Sequence, residues 1–369
     1  MSALFSDLGG EFVELDTVLE ASMPLELSGE MVRGRICIFT DEDGHEWALR
    51  PDLTLPAAVN EIARRRAGGT GQRTVCYDAP VFRLPASPND PIEFRQAGFE
   101  RFGYDSDAQN DAQMFTAIAN AVSTSGIISP FVQFGDLSIF PAFVDAMGLP
   151  PETKQGLKRA FRQEGGVRAY LNAEKNGAAM GLSRRMRGMD QEEATAFVED
   201  VFRLTGIRPV GERTEAEIVD RLYQRAQAGV ATEISEDDKS MLEAALAIDA
   251  PASEAASVLR DLSKAAGLKG LEPQIEALDL RFQAIAAAEL KAFQTARFST
   301  RFGRRFTYYD GFVFELAANR QESEAGRPFA AGGRYDSLLS QLSAGEVETS
   351  AMGGVIIPHR LEIAKGEQA

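Results

Sequence analysis

The sequence predicts an α+β fold, an antiparallel sheet flanked by helices with a helical insertion ahead of its last strands. Three observations predict it. Up to about Gly148, strand-like hairpin patterns alternate with amphipathic runs. From about Leu171 to Ala292 the chain turns Ala-rich and helical, and strand patterns return between Phe306 and Ala364. The expected organisation is a sheet domain made of 1–170 with 293–369 and an inserted helical region at 171–292. A length of 369 residues accommodates about two domains or one domain with an insertion.

Taken in order, Val32 to Leu49 reads as two strands, ICIF and HEWAL, around the polar, Gly-ended turn DEDG. LPAAVNEIARRRAG is a helix with Pro56 in its first turn and a stop at Gly68-Gly69. TVCYDAPVFRL and PIEFRQAGFERFG form a second antiparallel pair joined by ASPND, whose Pro, Asn and Asp suit a turn. DAQMFTAIANAVSTSG carries helical apolar spacing, and FVQFGDLSIFPAFVDAMG is a strand, a turn and a helix. In the middle region, Asp190 before Glu193 and Ser235 before Asp238 are helix-start signals. FTYYDGFVFELAA, FAAGGRYDSLLSQL and AMGGVIIPHRLEIA return the strand pattern.

Composition narrows the function. A net charge of −16 opposes extended contact with a phosphate backbone, so no nucleic-acid partner is expected. The runs Arg64-Arg65-Arg66 and Arg184-Arg185-Met186-Arg187 read as solvated helix faces. No basic leader followed by an apolar run and no long apolar span occurs, so the expectation is a cytoplasmic protein without a membrane partner. Cys37 and Cys76 stand singly, with two histidines in the whole chain. Buried free thiols are expected, and no structural metal or cofactor. The usual dinucleotide, P-loop, zincin and serine-hydrolase patterns are missing.

Four polar clusters fall in the strand-rich parts: LRPDLT, FRQAGFERFG, GRRFTYYDGFVFE and AGGRYDSLL. Residues two and four apart in a strand share a face, so Phe94, Gln96, Gly98 and Glu100 lie together. Glu100 is then either a solvated edge residue or a buried carboxylate, and burial demands an internal Arg or a cationic ligand. Gly98 leaves room against the backbone. Gly332-Gly333 can make a turn or admit a ligand, and Tyr308-Tyr309 can pack on the two faces of a strand.

The order LRPDLT, VFR, loop, FRQAGFERFG, YYDGFVFE, AGGRYDSLL and AMGGVIIPHRL resembles the catalytic domain of histidyl-tRNA synthetase, a class II aminoacyl-tRNA synthetase. The match covers most of residues 1–150 and 295–365. It implies the class II antiparallel sheet, with these segments around histidine and ATP. Carried over by position, the resemblance puts Asp52, Thr54 and Gln96 around the α-amino group of histidine and Glu100 and Tyr309 against its imidazole. Arg304, with Arg305 as the alternative one position on, would meet the carboxylate, and Tyr308, Gly332, Gly333, Arg334 and Tyr335 would line the pocket.

Several departures bear on ATP. The loop LPASPNDPIEF keeps Arg83 before it but has no basic residue inside, so phosphate charge would go unmatched. Ile357-Pro358-His359-Arg360 stands where the synthetases have Gly-x-Glu-Arg, and Thr307 where they have Asp. Arg83 and Arg360 are thus a residual ATP site. A synthetase adds an anticodon-binding domain of about a hundred residues, which a chain ending at Ala369 is not expected to carry. This combination resembles the regulatory subunits of ATP phosphoribosyltransferase. The resemblance implies no catalytic residues, histidine as effector, and partnership with the short-form catalytic subunit at the first step of histidine biosynthesis, in a hetero-octamer of equal numbers. It also implies a homodimer through about Phe12 to Glu30. The alternative is a truncated synthetase-like ligase that activates an amino acid with ATP.

Overall fold

A computed structural model describes residues 9–86, 90–127, 129–163, 166–173, 189–190, 193, 195–197, 200–201, 234–303 and 308–368. Contacts divide the chain into two compact units, residues 1–147 with 242–369 and residues 148–241.

The first unit is built on a nine-stranded sheet and a three-stranded one. Its strands are β1 (Glu11–Phe12), β2 (Val18–Glu20), β3 (Ile38–Thr40), β4 (Glu46–Leu49), β5 (Arg73–Phe82), β6 (Glu93–Phe102), β7 (Phe131–Asp136), β8 (Asp249–Pro251), β9 (Arg297–Ser299), β10 (Phe312–Ala317), β11 (Ala330–Arg334) and β12 (Ala351–Ile356). The large sheet runs β1-β5-β6-β12-β11-β10-β7-β9-β8, and β2-β4-β3 form the small one. From β5 to β7 in that order every pairing is antiparallel. Parallel pairs occur only towards the margins, at β1 with β5 and β7 with β9. The expected hairpin at ICIF and HEWAL forms, in the small sheet rather than the large one.

Four helices carry or support the candidate residues: α1 (Thr54–Arg66), α2 (Ala108–Thr124), α3 (Glu272–Ala286) and α4 (Pro358–Gln368). Helix α2 starts cleanly because Asp107, extended at the cap, accepts the Asn110 amide. It lies on the sheet, and α3 lies on it.

Cross-strand register assigns the two faces. Phe99, Gly354, Gly332, Phe314 and Phe134 are successive partners across five strands, so they share one face. There α2 inserts Phe115, whose ring centroid is 4.8 Å from that of Phe134 and 5.2 Å from that of Phe314. The neighbouring ladder, Val75, Glu100, Gly353, Gly333, Val313 and Gly135, faces the other way. Over that face α1 packs Leu55, Ala57, Ala58 and Ile62 into one cluster with Val75, Phe102, Tyr308 and Tyr335.

Residues 242–292, expected inside the helical insertion, lie in the unit that holds the sheet. The reason is chemical. Arg281 of α3 reaches Asp111 of α2 at 2.8 Å and Asp136 of β7 at 2.9 Å, all buried, while Ala-rich composition signals helix without saying which body the helix joins. In the second unit, helices Pro151–Phe161 and Gly166–Ala173 pack on each other. At the two expected helix starts, the Glu193 and Asp190 amides are reciprocally capped by each other's carboxylates, and Ser235, just before the helix Glu236–Leu246, accepts the Asp238 amide at 3.0 Å.

Arg64 and Arg65 both grip the buried Glu61 and Arg66 pairs with Glu346, so this run is an ion-paired helix face. Arg184 to Arg187 lie outside the described residues. Both thiols are free, Cys76 buried and Cys37 half-buried. Among the described residues no helix is long and apolar enough to cross a membrane.

Candidate functional site

The site begins with the strand of the FRQAGFERFG motif. On β6 the two-residue period sends Gln96, Gly98 and Glu100 to the face covered by α1. Glu100 is 1% exposed, which settles the choice between an edge residue and a buried one. Its Oε1 accepts the Thr54 hydroxyl and the Tyr77 hydroxyl, each at 2.8 Å, and its Oε2 accepts the Tyr335 hydroxyl. A carboxylate has about four acceptor positions, so one remains. Burial raises the Glu100 carboxyl to about 7, against the pull of those three donors and helped by the neighbouring charge of Asp52.

The second carboxylate sits at the start of α1. Asp52 Oδ1 accepts the Leu55 amide at 3.0 Å, holding the first turn of the helix, and Gln96 Oε1 accepts the Leu53 amide at 3.2 Å. The other oxygen, Asp52 Oδ2, is buried without a hydrogen-bond partner among the described residues. Burial pushes the Asp52 carboxyl up, while the Leu55 amide and the Arg83 charge pull it back. The helix start, Asp52 and Gln96 therefore hold one another in place.

Three tyrosines cluster beside the two carboxylates. The ring centroids of Tyr308 and Tyr309 are 4.8 Å apart, and Tyr335 stands 5.9 Å from the first and 6.2 Å from the second. Burial holds the phenols of Tyr77, Tyr308, Tyr309 and Tyr335 above their ordinary range, so they act as neutral donors. Glycine lets these side chains approach the sheet closely. A Cβ on Gly353 would lie 1.4 Å from Glu100 Oε2, and one on Gly333 would lie 2.9 Å from Tyr309 Cδ1. Side chains at these positions would fill the space that Glu100 and Tyr309 use.

Not every expected residue joins this group. In β11, alternation sends Gly333 and then Tyr335 to the pocket but Gly332 and Arg334 to the opposite face. There Gly332 packs beneath Phe314, and Arg334 meets Asp111 of α2 at 2.7 Å and Asp336 at 3.0 Å. Four consecutive residues cannot line one side of a strand, so Arg334 and Gly332 support the sheet instead. Arg83 donates from Nε to the Pro51 carbonyl at 2.6 Å and lies over the Phe94 ring at 5.4 Å. Arg360 donates to the Pro328 carbonyl at 3.1 Å. Burial and the nearby Arg83 charge bring Arg360 down to about 10. Arg304 and Arg305 lie outside the described residues.

The sequence profile of the histidyl-tRNA synthetase family matches residues 1–190 and 194–361. An ATP phosphoribosyltransferase regulatory subunit from Mesorhizobium japonicum is 32% identical over 353 residues, 93% of this chain and 91% of its own length. One from Agrobacterium fabrum is 32% identical over 358 residues, 95% of this chain and 92% of its own. The chain belongs to the histidyl-tRNA synthetase-like family of ATP phosphoribosyltransferase regulatory subunits. The crystal structure of an ATP phosphoribosyltransferase regulatory subunit/histidyl-tRNA synthetase from Bacillus halodurans shares the fold, with a TM-score of 0.66 and 19% identity over 98% of this chain and 76% of that one. A histidyl-tRNA synthetase from Nostoc has a TM-score of 0.60 at 14% identity, over 100% of this chain and 70% of that one.

As a member of this regulatory-subunit family the chain is regulatory rather than catalytic. The fold is that of a class II synthetase. Two pocket residues escaped the sequence reading, Tyr77 and Gly353. Both face Glu100 only through register: Tyr77 stands opposite Gly98 on β5 and Gly353 opposite Glu100 on β12. The two-residue period of TVCYDAP against FRQAGFE was the available signal for Tyr77, whereas Gly353 is separated from Glu100 by most of the chain.

Proposed function

We propose that this chain binds L-histidine in the pocket of Asp52, Thr54, Gln96, Glu100, Tyr309 and Tyr335. We propose further that it passes feedback inhibition to a short-form ATP phosphoribosyltransferase catalytic subunit, whose activity depends on it. The observation that carries this reading is a pair of buried carboxylates, Asp52 and Glu100: Asp52 Oδ2 has no hydrogen-bond partner among the described residues, and Glu100 is met by three neutral hydroxyls. Buried negative charge of this kind is costly until a cation arrives. Histidine supplies an ammonium for Asp52 Oδ2 and Gln96, and an imidazole whose N–H groups suit the open acceptor position on Glu100. Arg304 is assigned to the ligand's carboxylate. The assembly is a hetero-octamer of equal numbers of both chains, its regulatory part built from homodimers, and it acts in the cytoplasm.

Titration calorimetry with histidine, on the chain alone and with the catalytic subunit, tests the reading together with phosphoribosyl transfer assayed with and without this chain. Histidine should bind and should inhibit only the complex. Asp52→Asn should weaken histidine by about ten-fold or more, since charge-assisted hydrogen bonds contribute roughly 1.5 to 3 kcal/mol, while catalytic stimulation by the unliganded variant persists. A catalytic subunit that behaved identically in both conditions, or histidine-dependent ATP–pyrophosphate exchange by the isolated chain, would show the proposal to be wrong.

A further inference from the structure

On the far face of the sheet, a groove of about 410 Å³ runs between α2 and α3, bordered by Gln109, Gln113 and Asn120 from α2 and by Ala284 and Ala288 from α3 or just beyond it. At its edge stands Arg101 of β6, 9% exposed. Register sends Arg101 to the side opposite Glu100, so this groove and the pocket lie on different faces. Arg101 Nη1 donates to Gln113 Oε1 at 3.3 Å, a long contact with a neutral acceptor. Its Nε is buried with no hydrogen-bond partner. Its neighbours include the rings of Tyr104 and Phe99, with centroids 5.1 and 5.8 Å away, and the Cys76 thiol.

Among the described residues, the other arginines that lie mostly buried on this face each have a carboxylate: Arg281 has Asp111 and Asp136, and Arg334 has Asp111 and Asp336. Arg101 pairs with none among the described residues, and the residues bordering the groove include no acid. A guanidinium taken out of water without a counter-charge is unfavourable, and its fork suits an oxyanion. Gln109, Gln113 and Asn120 repeat along one stripe of α2 and add amide donors. The alanines leave the α3 side open to the body of a ligand.

We propose that this groove is a second ligand site, which takes a small molecule bearing a phosphate or carboxylate group on Arg101. The site is separate from the histidine pocket and does not rest on it. A volume of about 410 Å³ falls in the range of small-molecule sites.

Two variants test the site without disturbing the core. Gln113→Glu is nearly isosteric on an exposed helix position and gives Arg101 the counter-charge it lacks. Ala288→Glu sets a carboxylate on the exposed rim. The full chain is titrated with pyrophosphate and with citrate at constant ionic strength, reading the thermal midpoint and calorimetric heat, with sodium chloride as control. At least one of the two oxyanions should saturate a single site and raise the midpoint, and both variants should weaken it by about ten-fold or more. Gln113→Glu alone should raise the midpoint of the unliganded chain. Binding of pyrophosphate without citrate assigns a phosphorylated ligand, and the converse a carboxylated one. Protection matched by chloride, no saturable binding below about 10 mM (roughly −3 kcal/mol), undiminished binding in the variants, or competition by histidine would each overturn the site.

Discussion

At the scale of single residues, Glu100 is the most informative side chain. Burial lifts its carboxyl from an ordinary 4.5 to about 7, so the native chain holds this proton more tightly than the unfolded one. Its contribution to stability is therefore complete below about pH 4.5 and is lost as pH rises through about 7. The thermal midpoint of the unliganded chain should fall across that window, and Glu100→Gln should flatten this part of the profile. The same change keeps the volume but removes the charge, so histidine should bind about ten-fold to a hundred-fold more weakly. Calorimetry and melts from pH 4 to 8 check both effects; a variant with the parent's profile and affinity would remove Glu100 from the site. The spacing of Gln96, Gly98 and Glu100 was legible because strand alternation is local. Tyr77 and Gly353 were not, because which residue stands opposite Glu100 is decided by strand pairing across the fold.

At the scale of elements, β11 shows how alternation overrides a motif. AGGRYD reads as one polar cluster, yet its odd-numbered members face the side of Glu100 and its even-numbered ones face α2. Arg334, Arg281, Asp111 and Asp136 tie β11, α2, α3 and β7 into one buried ion network. Removing one member of such a network leaves a buried charge short of partners, at a cost of about 3 to 5 kcal/mol. Since Asp111 would keep Arg281, Arg334→Leu should sit near the lower figure. Its denaturation midpoint should drop, while its affinity for histidine stays within about three-fold of the parent's, a change under 1 kcal/mol. Lost affinity with an unshifted midpoint would return Arg334 to the pocket.

At the scale of the whole molecule, the antiparallel core from β5 to β7 was readable from hairpin patterns, whereas the domain limits were not. Helical composition is the same whether a helix stands in the second unit or, like α3, clasps the sheet through Arg281. The surface adds a further constraint. Phe12, Val18, Ile38 and Phe39 are each 41% to 45% exposed, on β1 at the end of the large sheet and on β2 and β3 of the small one. Apolar side chains concentrated on sheet margins are poor solvent surfaces and good interfaces. This supports the homodimer proposed through the N-terminal segment. Light scattering at micromolar concentration should give twice the chain mass of 40.1 kDa, and the double variant Val18→Asp with Phe39→Asp should give the monomer. Asp52, Thr54, Gln96, Glu100 and Tyr335 are positioned by hydrogen bonds within one chain, so the monomeric variant should still bind histidine. What it should lose is the histidine response of the catalytic subunit, because transmission needs the assembled complex. A monomeric parent, or a monomeric variant that still conveys inhibition, would uncouple the dimer from regulation.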